Sequence, residues 1–147
     1  MIRIEFPDRR PSIRDENGVE EIFCICRKRW VRLTPEEWVR QNFLLYLAEV
    51  LHYPLTLTAV EKLVQVGELR KRFDIVVYNV DAQPKLLVEC KEMNVPLSDK
   101  TMMQLLSYNS TIGATILVIT NGSYCLAFRA SGEGKMEEID NLPFYPF

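Results

Sequence analysis

The sequence predicts a single α/β domain in which two helices cover a mixed β-sheet. Two segments show apolar residues at helical spacing, and each begins at a capping signal, Thr34 for the first and Ser98 or Asp99 for the second. Between and after them lie short apolar or β-branched runs bounded by turn residues, which are typical of strands. Because a strand, a helix and a further strand in succession favour a parallel pair, the sheet is expected to be mixed.

The overall composition is that of an ordinary globular domain. The chain has 147 residues, of which 48% are hydrophobic and 26% charged, so it can bury its own core. The formal net charge of -2 argues against a protein that coats nucleic acid through bulk charge. The N-terminus lacks a signal-peptide pattern, and no run approaches the roughly 18 apolar residues of a membrane span. We therefore expect a cytoplasmic protein that does not enter a membrane, and four reduced cysteines without zinc-like spacing.

We expect one domain over residues 1–147, with a core at about 34–129 between an N-terminal extension (1–33) and a C-terminal tail (130–147) on the surface. Within the core, the first helix is expected to run from residue 34 to about residue 51, because Thr34, Pro35 and Glu37 form a capping-box start and Pro54 prevents continuation. The second helix should end near residue 110. The predicted strands are 55–66, 72–79, 85–92, 114–120 and the hairpin strand 124–129.

The segment 72–91 places three charged residues in strands that otherwise look buried. Asp74 precedes the apolar residues 75–77, and Glu89 and Lys91 follow the apolar residues 86–88. A four-residue loop at 81–84 would set Asp74 opposite Lys91. Since opposed residues of an antiparallel pair share a face, the three charges should lie together.

This grouping suits phosphodiester hydrolysis. Two carboxylates on one face repel each other unless a cation lies between them, and carboxylate oxygens suit Mg²⁺ or Mn²⁺. Lys91 would then be an ammonium able to orient an attacking water and offset developing charge. Basic clusters at 27–32 and 70–72 favour a polyanionic substrate. The alternative is that Asp74 and Lys91 form an ordinary surface ion pair.

Asp74, fourteen further residues and then Glu89-Cys90-Lys91 resemble the D-x(n)-E-x-K signature of the PD-(D/E)xK nuclease superfamily. Phe73 stands where that superfamily usually has proline. The stretches 35–40, 104–109 and 120–122 resemble the N-terminal nuclease domain of type I restriction enzyme R subunits, and the likeness spans residues 34 to about 128. It implies a restriction-endonuclease-like core of helix, three strands, helix and strand, with an extra C-terminal hairpin strand.

The resemblance also implies roles for particular residues. Asp74, Glu89 and the Cys90 carbonyl would be metal ligands, and Lys91 the catalytic lysine. Gln104 and Tyr108 match the family's QxxxY motif, and their spacing places both on one helix face. A glutamate of the first helix often completes such a site. Glu36 or Glu37 can serve here, and Glu37 is preferred although its capping-box role competes.

These residues predict an Mg²⁺- or Mn²⁺-dependent DNA endonuclease. The alternative is a non-catalytic nucleic-acid-binding or assembly module that retains the nuclease fold, and an RNA substrate also stays open. The chain has no G-x-x-x-x-G-K-[ST] phosphate loop, so motor and specificity functions of a restriction system would have to come from other subunits.

Overall fold

A computed structural model describes residues 1–146. This part of the chain folds into two α-helices, two short helical turns and ten strands. In order they are β1 (Ile2–Arg3), β2 (Ile13–Glu16), β3 (Val19–Cys24), β4 (Arg29–Arg32), α1 (Pro35–Leu45), a π-helical turn (Tyr46–Val50), a 3₁₀ turn (Leu55–Leu57), β5 (Thr58–Val66), β6 (Leu69–Tyr78), β7 (Pro84–Cys90), α2 (Asp99–Ile112), β8 (Ile116–Thr120), β9 (Tyr124–Gly132) and β10 (Lys135–Ile139).

The central sheet is mixed, as predicted. Its strands lie in the order β1-β9-β8-β7-β6-β5, and β10 pairs with the free part of β9. β7 and β8 are parallel, joined by the crossover helix α2, whereas the other neighbouring strands are antiparallel. The two helices cover opposite faces, which makes β8 buried along its whole length. The α1 side of the core includes Val39, Phe43, Ile75, Val88 and Val118, and the α2 side includes Met102, Leu105, Val76, Leu87 and Leu117.

Helix α1 begins as its capping residues predict. Thr34 is the N-cap, and its Oγ1 accepts a hydrogen bond from the Glu37 N–H at 3.0 Å. The Glu37 carboxylate, however, turns to Arg27 and Arg40, so it is engaged elsewhere than in a capping box. The helix continues into the π-helical turn and ends at Leu51, before Pro54.

The predicted register of the β6–β7 hairpin is wrong. Ile75 pairs with Val88 and Val76 with Leu87, so the same register places Asp74 level with Glu89 rather than Lys91. The loop has five residues, 79–83, instead of four. It is closed by Asn79, whose Oδ1 accepts hydrogen bonds from the N–H groups of residues 81 and 83 at 3.0 and 2.9 Å. The proline signal at position 84 therefore marks the start of β7 and not the end of the loop.

The alternation of side chains along strand β6 is interrupted at Asp74. Phe73 packs on the α2 side of the sheet and Ile75, two residues later, packs on the α1 side, although alternate residues of a regular strand share a face. Glu61, which lies opposite Asp74 on β5, has a positive φ of 52°, and the paired residues of the ladder pass from Val60–Ile75 directly to Lys62–Phe73. This local irregularity lets Asp74 turn towards α1 while its neighbours remain in the core.

The segments on either side of the predicted core are also structured. β2, β3 and β4 form a separate antiparallel sheet, and Ile25 and Cys26 just after β3 pack against the α1 side of the core. In the segment predicted to be a tail, β9 ends and β10 pairs with it, and Leu142 is buried. All four cysteines are free thiols. Neither helix described for residues 1–146 has the length and apolar character needed to cross a membrane.

Candidate active site

Asp74 is held against the backbone that follows Glu89. Its Oδ2 accepts a hydrogen bond from the Cys90 N–H at 2.8 Å, so the break in β6 brings this carboxylate to the end of β7. Its Oδ1 accepts from Arg40 Nη2 of helix α1, also at 2.8 Å. Asp74 is thus fixed at both oxygens, one by a strand and one by a helix.

Glu89 is a largely buried carboxylate with unfilled hydrogen-bonding capacity. Its side chain is 15% exposed, and its Oε1 has no hydrogen-bond partner, the Nζ of Lys71 being 3.8 Å away. Burial, and next the negative charge of Asp74, raise the pKa of Glu89 to about 7. Asp74 and Glu89 therefore lie close enough for their charges to interact, and the observed register places them level with each other.

Lys91 and the two residues of the QxxxY motif meet in one cleft. The Lys91 N–H donates to the Thr120 carbonyl at 2.8 Å, so its backbone stays aligned with β8 beyond the end of β7. Gln104 Nε2 donates to Tyr108 Oη at 3.4 Å across one turn of α2. The cleft has a volume of about 70 Å³ and is lined by Lys71, Glu89, Lys91, Thr101, Gln104, Leu105 and Tyr108.

The two glutamates of the first helix turn have different environments. Glu37 is buried, and its oxygens accept from Arg40 Nη1 at 2.6 Å, Arg27 Nη2 at 3.0 Å and Gln41 Nε2 at 3.0 Å. Both of its oxygens are used in these structural hydrogen bonds, and Glu37 does not line the cleft. Glu36 lies on the open side, where burial and then the charge of Asp74 raise its pKa. Glu36 is therefore the glutamate of α1 that faces Asp74.

Arg40 is a buried cation that sequence reasoning did not single out. In addition to Asp74 and Glu37, it lies 3.4 Å from Glu36 and 3.7 Å from Glu61, and its side chain is 5% exposed. Its Nε has no hydrogen-bond partner. The available signal was its spacing of three and four residues from the two glutamates, which places the three side chains on one helix face.

Lys71 is the second cation that the sequence analysis did not assign to the site. It was counted there only as part of a surface cluster, yet it turns inward beside Glu89. Its Nζ lies 5.9 Å from the ring centre of Phe73 and 5.8 Å from that of Tyr108. Alternation with the buried Phe73 was the signal that this lysine faces α2 rather than solvent.

The carboxylates fit a divalent cation in part. Across residues 1–146, no three or more His, Cys, Asp or Glu side chains are arranged to hold a metal. Mg²⁺, however, commonly uses only one or two protein carboxylates together with water and substrate oxygens. Asp74 and Glu89 provide such a pair, and the partnerless Oε1 of Glu89 is an oxygen that a cation would satisfy. The Cys90 N–H is occupied by Asp74, and the Cys90 thiol is buried.

Fold and site define the class as a mixed α/β domain with an acidic, lysine-containing cleft at the end of a central strand. Residues 35–143 match the family model described as type I restriction enzyme R protein N terminus (HSDR_N). The chain therefore belongs to this family, which confirms the resemblance found in the sequence and places the chain in the context of restriction systems. A comparison with curated proteins finds no match.

Proposed function

We propose that this chain is a metal-dependent endonuclease that hydrolyses DNA phosphodiester bonds. One observation carries the proposal: Asp74 is bound to the backbone of Cys90 beside Glu89, whose buried Oε1 lacks a partner, and Lys91 lies in the same cleft. Paired carboxylates next to a lysine are suited to positioning a phosphodiester and stabilising the charge that develops on it.

The order of elements supports a restriction-endonuclease-like core. From α1 through β5, β6, β7 and α2 to β8, the chain follows the helix, three strands, helix and strand that the resemblance implies. The parallel pairing of β7 and β8 brings the end of β7, which carries Glu89, against the helix that carries Gln104 and Tyr108.

We assign the metal-holding role to Asp74 and Glu89, with the Cys90 carbonyl as a third ligand and Glu36 as the contribution of helix α1. Glu36 replaces the earlier preference for Glu37 because Glu37 is enclosed by two arginines and Gln41. When bound, Mg²⁺ or Mn²⁺ would offset phosphate charge and lower the pKa of a coordinated water.

The remaining side chains orient the reacting groups. Lys91 hydrogen-bonds the attacking water, and its positive charge offsets the negative charge that grows on the phosphate oxygens. Gln104 and Tyr108 form the α2 wall of the cleft and can donate hydrogen bonds to phosphate oxygens. Arg40 fixes the direction of the Asp74 carboxylate through the 2.8 Å bond to Oδ1.

Cleavage of supercoiled plasmid tests this proposal. The purified protein is expected to nick plasmid in the presence of Mg²⁺ or Mn²⁺, and Lys91→Ala is expected to abolish nicking while leaving thermal unfolding unchanged. Lys85→Ala is the matched control, because Lys85 lies on the same strand, β7, at its opposite end. Nicking at the wild-type rate by Lys91→Ala would show that the site assignment is wrong.

A second candidate function is a non-catalytic nucleic-acid-binding or assembly module. The observation that favours it is that each carboxylate already faces a cation of the protein, Arg40 at Asp74 and Lys71 at Glu89. Calorimetric titration separates the two functions. Binding of Mg²⁺ or Mn²⁺ together with cleavage supports the enzyme, whereas absence of both in the wild-type protein favours the module. Plasmid DNA and an RNA of the same sequence, tested in parallel, decide the substrate.

A further inference from the structure

The hairpin of β5 and β6 extends past the neighbouring strand. β6 pairs with β7 over residues 75–78, whereas its earlier residues pair with β5 alone, from Lys62–Phe73 to Val66–Leu69. We refer to residues 62–73 as the outer ribbon. It is a two-stranded element that begins next to Asp74 and projects beyond the candidate active site.

One face of the outer ribbon packs on the protein and the other faces solvent. Lys71 and Phe73 turn towards Tyr108 of α2. Since side chains alternate along a strand, Arg70 and Arg72 point to the opposite face, the face on which Asp74 contacts Arg40. Arg70, Arg72 and Asp74 therefore form a row, with successive members about 7 Å apart along the strand.

The two arginines of this row are not used by the fold. Both are exposed, and neither has a side-chain hydrogen bond or ion pair with any residue of the described chain. Their cross-strand neighbours on this face, Gln65 and Leu63, carry no negative charge. By contrast, Arg40 and Lys71, the cations nearest the carboxylates, are both paired with acids.

The same side of β5 also offers space for a substrate. An open depression of about 490 Å³ lies between β4, the start of α1 and β5. Its charged lining consists of three arginines, of which Arg32 is exposed, and four glutamates, among which Glu36 and Glu61 lie next to Asp74: Arg27, Arg32, Arg40, Glu36, Glu37, Glu61 and Glu92. A chain of phosphates that follows the row of arginines would reach this depression next to the candidate active site.

We propose that the solvent face of the outer ribbon binds the phosphate backbone of duplex DNA and guides it towards the carboxylates. The planar guanidinium groups of Arg70 and Arg72 suit phosphate oxygens. A duplex fits better than a single strand, because this face has no aromatic side chain on which unpaired bases would stack. The inference rests on the proposed function for the identity of the substrate, and adds the element that positions it.

Fluorescence anisotropy of a labelled DNA duplex tests the inference with the full chain in EDTA, so that binding is measured without cleavage. The variant is Arg70→Gln/Arg72→Gln. The matched control, Arg10→Gln/Lys135→Gln, removes the same charge from two exposed residues outside the ribbon. Unfolding midpoints are measured for all proteins, and both double variants are expected to remain folded because the replaced side chains lie on the surface.

The ribbon variant is expected to bind at least about tenfold more weakly, with a salt dependence reduced by about two phosphate contacts, while the control stays within about twofold of the wild type. Wild-type affinity and salt slope in the ribbon variant, an equal loss in the control, or no duplex binding by the wild type would each overturn the inference.

The same assay keeps this inference separate from the proposed catalysis. If the wild type binds through the ribbon but does not cleave with Mg²⁺ or Mn²⁺, the proposed catalysis is wrong and the ribbon assignment stands. If the wild type cleaves and the ribbon variant keeps full affinity, only the ribbon assignment is wrong.

Discussion

At the scale of single residues, the chemistry of the cleft depends on how Glu89 is charged. A carboxyl group that is mostly buried and next to Asp74 favours its neutral form, which is why its pKa rises to about 7. The positive groups nearby, Lys71 and Lys91, oppose this shift without cancelling it. Glu89 is therefore poised to bind either a proton or a cation near neutral pH.

The raised pKa of Glu89 predicts a pH-dependent stability. The folded protein binds this proton more tightly than the unfolded chain, so the stabilisation is complete below pH 4.5, the ordinary pKa, and is lost as pH rises to about 7. The loss is at most roughly 3 kcal/mol, the energy of the pKa shift. Urea unfolding without metal should show this decline in the wild type.

Glu89→Gln is expected to abolish the decline, because the amide imitates the protonated acid. Glu137→Gln is the control, since Glu137 is exposed on β10, at the other end of the sheet. An unchanged pH dependence in Glu89→Gln would contradict the assigned environment of this carboxyl group.

Glu36 and Glu37 provide a matched pair of substitutions. Glu37→Gln should lower the free energy of unfolding by about 3 kcal/mol, because it leaves the buried Arg27–Arg40 network short of an acid. Glu36→Gln should change it by less than about 0.5 kcal/mol, since this side chain is 53% exposed. Urea unfolding measures both values. Calorimetry should show weaker Mg²⁺ binding in Glu36→Gln. The reverse pattern would exchange the two roles.

The residues that carry charge in the strands were predictable, whereas their partners were not. Asp74, Glu89 and Lys91 interrupt apolar runs, and that anomaly is visible in the sequence. The turn of Asp74 towards Arg40 depends on the irregularity of the β5–β6 ladder at this residue, where Glu61 has a positive φ. A glutamate at this position gives no sequence signal for a left-handed backbone, in contrast to glycine.

At the scale of elements, the strands of the β6–β7 hairpin were predictable from the sequence, but their register was not. Strand identity followed from the apolar runs, and the parallel pairing of β7 with β8 followed from the crossover helix. The register depends on the loop, and the loop depends on Asn79, which bonds two backbone N–H groups. The loop begins two residues earlier than predicted, and the ladder is irregular between Val77 and Tyr78; together these differences move the partner of Asp74 from Lys91 to Glu89.

Asn79 should therefore stabilise the hairpin through its side-chain oxygen. Asn79→Ala is expected to lower the free energy of unfolding by about 1 kcal/mol, because the N–H groups of residues 81 and 83 lose their acceptor. Asn79→Asp keeps an oxygen at the same place and should retain most of the stability. Urea unfolding of both variants checks this, and equal losses in the two would argue against the hydrogen bonds.

At the scale of the whole molecule, the positions of the charged residues are more informative than the net charge. The formal net charge is -2, which argues against a bulk electrostatic interaction with nucleic acid. The fold nevertheless collects acids from α1, β6 and β7 into one site and leaves Arg70 and Arg72 exposed beside it. The proposed binding of DNA therefore rests on the local arrangement of charges and not on the net charge.

The segments outside the predicted core were the least predictable part of the molecule. The sequence of β10 resembles that of a charged tail, because this strand pairs with β9 through its backbone while most of its side chains are exposed. The turn between β3 and β4 supplies Arg27, which donates hydrogen bonds to Glu37 and Glu61. Contacts between residues so far apart in the sequence leave no periodic pattern, so only the three-dimensional structure reveals them.

The most direct test of the central claim is a crystal soaked in Mn²⁺, with anomalous difference density calculated at the manganese absorption edge. A peak in contact with both Asp74 and Glu89 is expected, with the Lys91 side chain beside it and Lys71 displaced from Glu89. Peaks elsewhere and none at these two carboxylates, in crystals soaked at a Mn²⁺ concentration that saturates plasmid nicking, would contradict it.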